Sequence, residues 1–150
     1  MRIRRPESSL AAGQSEWIVA MEPWRSLGYS GANLGRYLRR MARAKQVLVA
    51  EDKGSVLGLL VYQPNFLLGN FIALLAVRAE AAGQGIGRAL VDRIEAQTFK
   101  TRRWLYVSSD GDNLSAARFY KKLGFSRVAR LPGLIRDGRT EILWRKMRGE

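Results

Sequence analysis

Residues 70–96, NFIALLAVRAEAAGQGIGRALVDRIEA, constrain what this chain can fold into more than any other stretch. The apolar run Phe71 to Val77 is far too short for a membrane span and has the length of a buried strand. A polar turn, Arg78 to Ala82, leads into the glycines Gly83, Gly85 and Gly87. Ile86, Leu90 and Ile94 then recur at the i, i+4, i+8 spacing of a helix stripe. A strand, a glycine turn and a helix in that order aim free backbone N–H groups at an anion. The first turn of a helix has unpaired donors, and its dipole is positive there. Glycine lets a ligand approach the main chain without meeting a Cβ atom. The segment therefore predicts a cradle for phosphate or pyrophosphate.

Spacing narrows the choice of cradle. A P-loop ends in Gly-Lys-Ser/Thr, whereas Gly87 is followed by Arg88 and Ala89. A dinucleotide fingerprint needs a third glycine at position 88 or 90, where the chain has Arg88 and Leu90. What remains is Ala82-Gly83-Gln84-Gly85-Ile86-Gly87 running into Arg88-Ala89-Leu90. This resembles the acetyl-CoA pyrophosphate loop of the GCN5-related N-acetyltransferase (GNAT) superfamily, Gln/Arg-x-x-Gly-x-Gly/Ala, with Ala82 in place of the leading Gln/Arg. The resemblance implies that Ala82, Gly83, Gln84, Gly85, Ile86, Gly87 and Arg88 contact the cofactor, mostly through backbone amides.

A chain of 150 residues with 47% hydrophobic content suits one soluble globular domain, 1–150, with a real core. Met1 to Pro6 carries basic residues but no apolar segment behind them, so no secretory signal is predicted. With no cysteine to indicate an oxidising compartment, a cytoplasmic location is expected. The absence of Cys and His excludes a thiol nucleophile, a Ser–His pair and a His-ligated zinc, and no metal is expected. Protons must move through Tyr, Lys, Asp, Glu or water. The formal net charge is +13, and most of the 26 basic residues are arginine. Arg36, Arg39, Arg40 and Arg43 form the best nucleic-acid candidate, but a solvated arginine-rich flank is the favoured reading.

Along the chain, the alternation of Arg2 to Arg5 predicts a first strand. Leu10, Trp17, Ile18 and Met21 mark a helix over 10–21, and an aromatic loop follows from Glu22 to Tyr29. Ser30 can cap a second helix to about Ala44, with Leu34, Leu38 and Met41 facing the core. Gln46–Glu51 and Ser55–Gln63 read as a hairpin about Asp52-Lys53-Gly54, broken by Pro64 and Asn65. The helix after the glycines is expected to end near Thr101. Trp104–Ser109 is β-prone throughout, and Ser126–Leu131 pairs with Thr140–Lys146. The order β-α-α-β-β-β-α-β-α-β-β predicts an α+β fold, an αβα sandwich. By resemblance this is the GNAT fold, with a mixed sheet of about seven strands, a splayed central parallel pair and about four helices.

Asp112 to Phe125 supplies a second motif. Asn113 is a good N-cap, Gly124 occupies the left-handed C′ position, and Phe125 can close over Tyr120. Asn-x-x-Ala-x-x-Phe-Tyr-x-x-x-Gly-Phe is also the second GNAT motif, matched at each of those positions. The resemblance implies that Asn113 and Ala116 lie along the CoA arm, with the Tyr120 hydroxyl beside the sulfur. It also places the pantetheine against the backbone of Leu75, Ala76 and Val77. The implied reaction is direct acetyl transfer from acetyl-CoA to an amine in a ternary complex, with Tyr120 as general acid. Family members often carry a base on the central strand, but Phe71 to Val77 contains no acid. Glu22, Glu80, Asp110, Glu141 and a water relay are the candidates. Glu22 is preferred because it opens the loop that lies near the acceptor in relatives, where Trp24 and Tyr29 are the expected substrate contacts.

A basic protein repels small polycations, so a peptide or protein amine in an acidic surface is the expected acceptor. Neither membrane nor nucleic acid is an expected partner, and monomer and homodimer are both open. The alternatives are a non-catalytic acyl-CoA sensor on the same fold and a basic nucleic-acid-binding protein.

Overall fold

The computed structural model describes residues 1–149. The elements in chain order are β1 (Arg2–Arg4), α1 (Ser8–Ala12), α2 (Ser15–Val19), α3 (Gly31–Arg43), β2 (Val47–Asp52), β3 (Ser55–Phe66) and β4 (Gly69–Val77). A 3₁₀ turn (Ala79–Ala81), α4 (Ile86–Thr98), β5 (Trp104–Asp110), α5 (Leu114–Lys122), β6 (Ser126–Pro132) and β7 (Thr140–Met147) follow. One mixed seven-stranded sheet has the order β1-β2-β3-β4-β5-β7-β6. β4 and β5 are its parallel pair, in register from Gly69↔Trp104 to Ile72↔Val107. The chain divides into two compact units: Met1–Tyr62 with Leu74–Arg93, and Gln63–Ala73 with the segment from Ile94 onward.

In the first unit, the core packs α1, α2 and α3 on β2, β3 and the end of β4. Ile18, Leu38, Val47, Val49, Leu59 and Val61 are fully buried there, joined by Leu74 and Ala76. Ser30 caps α3 by accepting the Asn33 N–H at 2.9 Å, as expected. The single helix expected over 10–21 is instead two short ones. The Gln14 side-chain amide donates to Leu10 O at 3.0 Å, and the Gln14 backbone N–H turns to Ala11 O. The side chain thus takes the carbonyl that a continuing helix would have used. Gln14 Oε1 then accepts the Trp17 indole N–H at 2.8 Å, which fixes the break.

In the second unit, β5 and β6 both pair antiparallel with β7, Tyr120 of α5 lies 6.4 Å from Trp144 of β7, and Leu123 and Phe125 just after the helix are buried. Trp144 is 1% exposed and donates its indole N–H to Ser109 Oγ at 3.0 Å. The Lys146 ammonium donates to Leu123 O at the end of α5 (2.9 Å) and pairs with Glu95 of α4 (2.8 Å). Gly124, at φ +96°, lies where a Cβ would come within 3.2 Å of Lys146 Cε.

Pro64 does not end its strand: β3 runs to Phe66. A proline removes one ladder donor, which is tolerated next to a hairpin end. The turn that follows is Leu67-Leu68, left-handed at both residues (φ 45° and 64°), where Asn-Gly is the usual pair. Tyr106 Oη donates to Leu67 O at 3.1 Å and holds the turn. Gly69 is obligatory, because a Cβ there would lie 2.1 Å from Trp104 O.

Candidate functional site

The glycine loop lies in the first unit. Arg78 anchors its start: the backbone N–H donates to Leu57 O at 2.8 Å and Nε to Val56 O at 2.7 Å. Its guanidinium lies 4.8 Å from the Trp17 ring centroid. The 3₁₀ turn follows, and then Gly83 and Gly85 take φ +78° and +81°, with no atom within 4 Å of where a Cβ would stand. Ala89 is the first residue to return to the chain, donating to Gly85 O at 3.0 Å. Among the described residues, no protein acceptor meets the N–H groups of Gly83 to Arg88. Six successive donors at the positive end of a 13-residue helix therefore lack a protein partner, and the space beside Gly83 and Gly85 is open. That arrangement fits a pyrophosphate. Ala82 and Gln84 are exposed. Arg88, 60% exposed and 3.9 Å from Asp92, is only loosely paired.

Sequence reasoning missed the residue that seats this helix. Ile86 and Leu90 are buried, and a Cβ on Gly58 of β3 would stand 2.8 Å from Ile86 Cγ2 and 3.1 Å from Leu90 Cδ1. The first turn of α4 comes this close to the strand only because Gly58 has no side chain. Gly58→Val should lower the unfolding free energy by about 1–3 kcal/mol, the usual cost of overpacking. Urea unfolding curves check this, and an unchanged midpoint would remove Gly58 from that role. Nothing in the apolar run around Gly58 signals the contact, which depends on a residue 28 positions away. Leu75 and Val77 of β4 are half-buried and Ala76 is buried.

The second motif lies in the second unit. Asn113 Oδ1 accepts the Ala116 N–H at 3.0 Å and caps α5. Tyr120 is 7% exposed, its ring held edge-on by Phe119 (5.2 Å) and Phe125 (5.7 Å) and beside Trp144 (6.4 Å). Among the described residues its hydroxyl has no hydrogen-bond partner, and no buried side-chain oxygen is left unpaired. The hydroxyl oxygen is therefore not fully shut off from solvent. Burial pushes the Tyr120 phenol well above its usual pKa, so it stays protonated at neutral pH as a donor.

Glu22, the preferred base, is committed to its own loop. Its carboxylate accepts from Ser26 Oγ (2.6 Å), Ser26 N (3.0 Å) and Arg25 Nη2 (3.0 Å). These bonds, the one from the Ser26 hydroxyl foremost, hold it below the usual carboxylate range. Trp24 packs half-buried against the core of the first unit, and Tyr29 is 48% exposed. Glu80 is 70% exposed, 3.8 Å from Arg78. Asp110 is held down by the Arg139 side chain, which donates to both of its oxygens at 2.9 and 3.0 Å.

Glu141 is directly opposite Asp110 in the β5–β7 ladder. Burial first, and the Asp110 charge second, raise its pKa. Two facing carboxylates pushed in opposite directions are a recurrent acid–base arrangement. Only the cross-strand register reveals it.

Among the described residues, no group of three or more acidic side chains could hold a metal ion, and no helix is long and apolar enough to cross a membrane. Residues 43–127 match the family model described as an acetyltransferase (GNAT) domain. An uncharacterised N-acetyltransferase of Methanocaldococcus jannaschii is 34% identical over 97 residues, 63% of this chain and 62% of that protein. Ard1 from Thermoplasma volcanium superposes with a TM-score of 0.82 at 24% identity, covering 99% of this chain and 98% of that one. An aminoglycoside 6′-N-acetyltransferase complexed with coenzyme A gives 0.81 at 16% identity, covering 100% and 98%. Both likenesses are below 25% in sequence identity, so they speak to fold alone. The family model covers more than half of the sequence, and the chain belongs to the GNAT acetyltransferase family.

Proposed function

We propose that this chain is an acetyl-CoA-dependent N-acetyltransferase acting on a peptide or protein amine. The observation that carries the reading is the run of unpaired amides from Gly83 to Arg88 on the glycine-shaped start of α4. Acetyl-CoA supplies the acetyl group as an activated thioester. Gly83 to Arg88 hold its pyrophosphate through backbone N–H groups, and Arg88 adds charge. The backbone of Leu75–Val77 and the side chain of Asn113 take its arm. Tyr120 Oη donates a proton to the departing sulfur, and Glu141 takes one from the attacking amine. Glu22 orders the loop that carries Trp24 and Tyr29 toward the acceptor. The family match at 43–127 draws on residues of both compact units, which supports residues 1–150 as one functional domain.

The test is release of CoA from acetyl-CoA by purified protein offered acidic peptides, basic peptides and small amines. Release with none of them would favour a second reading, an acyl-CoA sensor. The absence of any acid in Phe71–Val77 gives that reading its support.

The assignment of Glu141 predicts a pH profile. A base works deprotonated, so kcat/KM should rise with pH through an elevated Glu141 pKa, not through an ordinary carboxylate range. Glu141→Gln should abolish that limb and leave acetyl-CoA affinity unchanged. The same limb persisting in the variant would return the role to water.

A further inference from the structure

A cleft of about 230 Å³ opens at one end of the second unit, between the α5 cap loop and the β6–β7 pair. Its lining includes Asp110, Asp112, Arg127, Arg130, Arg139 and Thr140. The two carboxylates are already answered. Arg139 is bidentate on Asp110 and lies 3.7 Å from Asp112. Among the described residues, the side chains of Arg127 and Arg130 have no hydrogen-bond or ion-pair partner. The five charges sum to +1, and the surplus belongs to these two guanidinium groups.

Their convergence has a structural cause. Residues three apart on a regular strand point to opposite faces. Here the β6–β7 register shifts between Arg127 and Ala129, so that Arg127 is opposite Trp144 and Arg130 opposite Ile142. Trp144 and Ile142 are two apart on β7 and share a face. Both arginines therefore reach the same cleft. The shift leaves Val128 unpaired and 41% exposed, which is a cost. Arginines on an edge strand also deter pairing with another chain. Either face serves that purpose, and it does not call for a shift that gathers both into one cavity.

We propose that this cleft binds a phosphoryl group. Arg127 and Arg130 would supply charge-assisted donors from β6, and Thr140 a hydroxyl from β7. Donors converging from two neighbouring strands suit a tetrahedral oxyanion, whereas a planar carboxylate is satisfied by a single guanidinium fork. The inference does not depend on acetyl transfer.

The test is a titration followed by the arginine side-chain Nε–H signals in ¹H–¹⁵N spectra, with the Gly83–Arg88 amides as separate reporters of the glycine loop. Inorganic phosphate should give saturable shifts of Arg127 and Arg130, with a dissociation constant on the order of 1 mM. Acetate at matched ionic strength should give none. O-phosphoserine run in parallel distinguishes the sources. Tighter binding than phosphate identifies a phosphorylated side chain, and weaker binding a free anion. Exchanging two neighbours, Arg127→Val with Val128→Arg, keeps the net charge but takes one guanidinium out of the cleft. This variant should bind phosphate at least about tenfold more weakly. Should it not fold, Arg130→Gln at an exposed position serves instead. Unsaturable drift in the parent protein, or wild-type titration by either variant, would overturn the proposal.

Discussion

Tyr120→Phe is expected to lower kcat by about 10²–10⁴-fold, the range for loss of a positioned general acid. The substitution removes one oxygen and keeps the ring between Phe119, Phe125 and Trp144, so the packing of α5 is retained. Because the hydroxyl has no protein partner to lose, the melting temperature should hold or rise slightly. An interaction made only in the transition state lowers kcat and kcat/KM together, so KM for acetyl-CoA should stay near its wild-type value. Steady-state kinetics with thermal unfolding on the same samples separate the outcomes. Near-normal turnover would reduce Tyr120 to a packing residue.

The second large effect is expected at the glycine loop. Gly85→Val should abolish measurable acetyl-CoA binding by calorimetry, because the new side chain enters the open space in front of the amides. It also forces a β-branched residue to φ +81°, costing about 1–2 kcal/mol of stability. Those two consequences need separating, and Gly54 allows it. Gly54 has the same φ of +81° and equally open surroundings, but lies in the β2–β3 turn. Gly54→Val should show a comparable loss of stability with the dissociation constant unchanged. If both variants lose affinity alike, strain is the cause and the loop assignment falls.

Much of this is legible in the sequence. The glycine cluster, the apolar stripe of α4 and the Asn113–Phe125 motif are local patterns, and local patterns fix element type and order. What escaped was set by contacts distant in sequence or by side chains competing with backbone. The break between α1 and α2 hinges on where the Gln14 amide points. β3 continues through Pro64 because Tyr106, 39 residues beyond Leu67, holds the turn after it. Glu141 stood among four acids with nothing local to distinguish it, since its distinction is a neighbour on β5. Glu22 had the better position in the chain, yet Ser26 and Arg25 occupy its oxygens. The arginines of α3 are exposed, as a solvated flank would have them, with Arg36 bonded to Asn33 and Arg40 over the Tyr37 ring.

Position 146 explains an exception in the amino-acid usage of this protein. The chain chooses arginine at most of its basic positions, yet here it keeps lysine. The side chain must pass beside Gly124, where even a Cβ would crowd it, and then meet a carbonyl and a carboxylate. A slender methylene stem ending in a compact ammonium has three donors to share between them. A flat guanidinium is broader than an ammonium and points its donors in one plane. The general preference for arginine therefore yields where geometry asks for a point charge, and Lys146 and Gly124 must be retained or replaced as a pair.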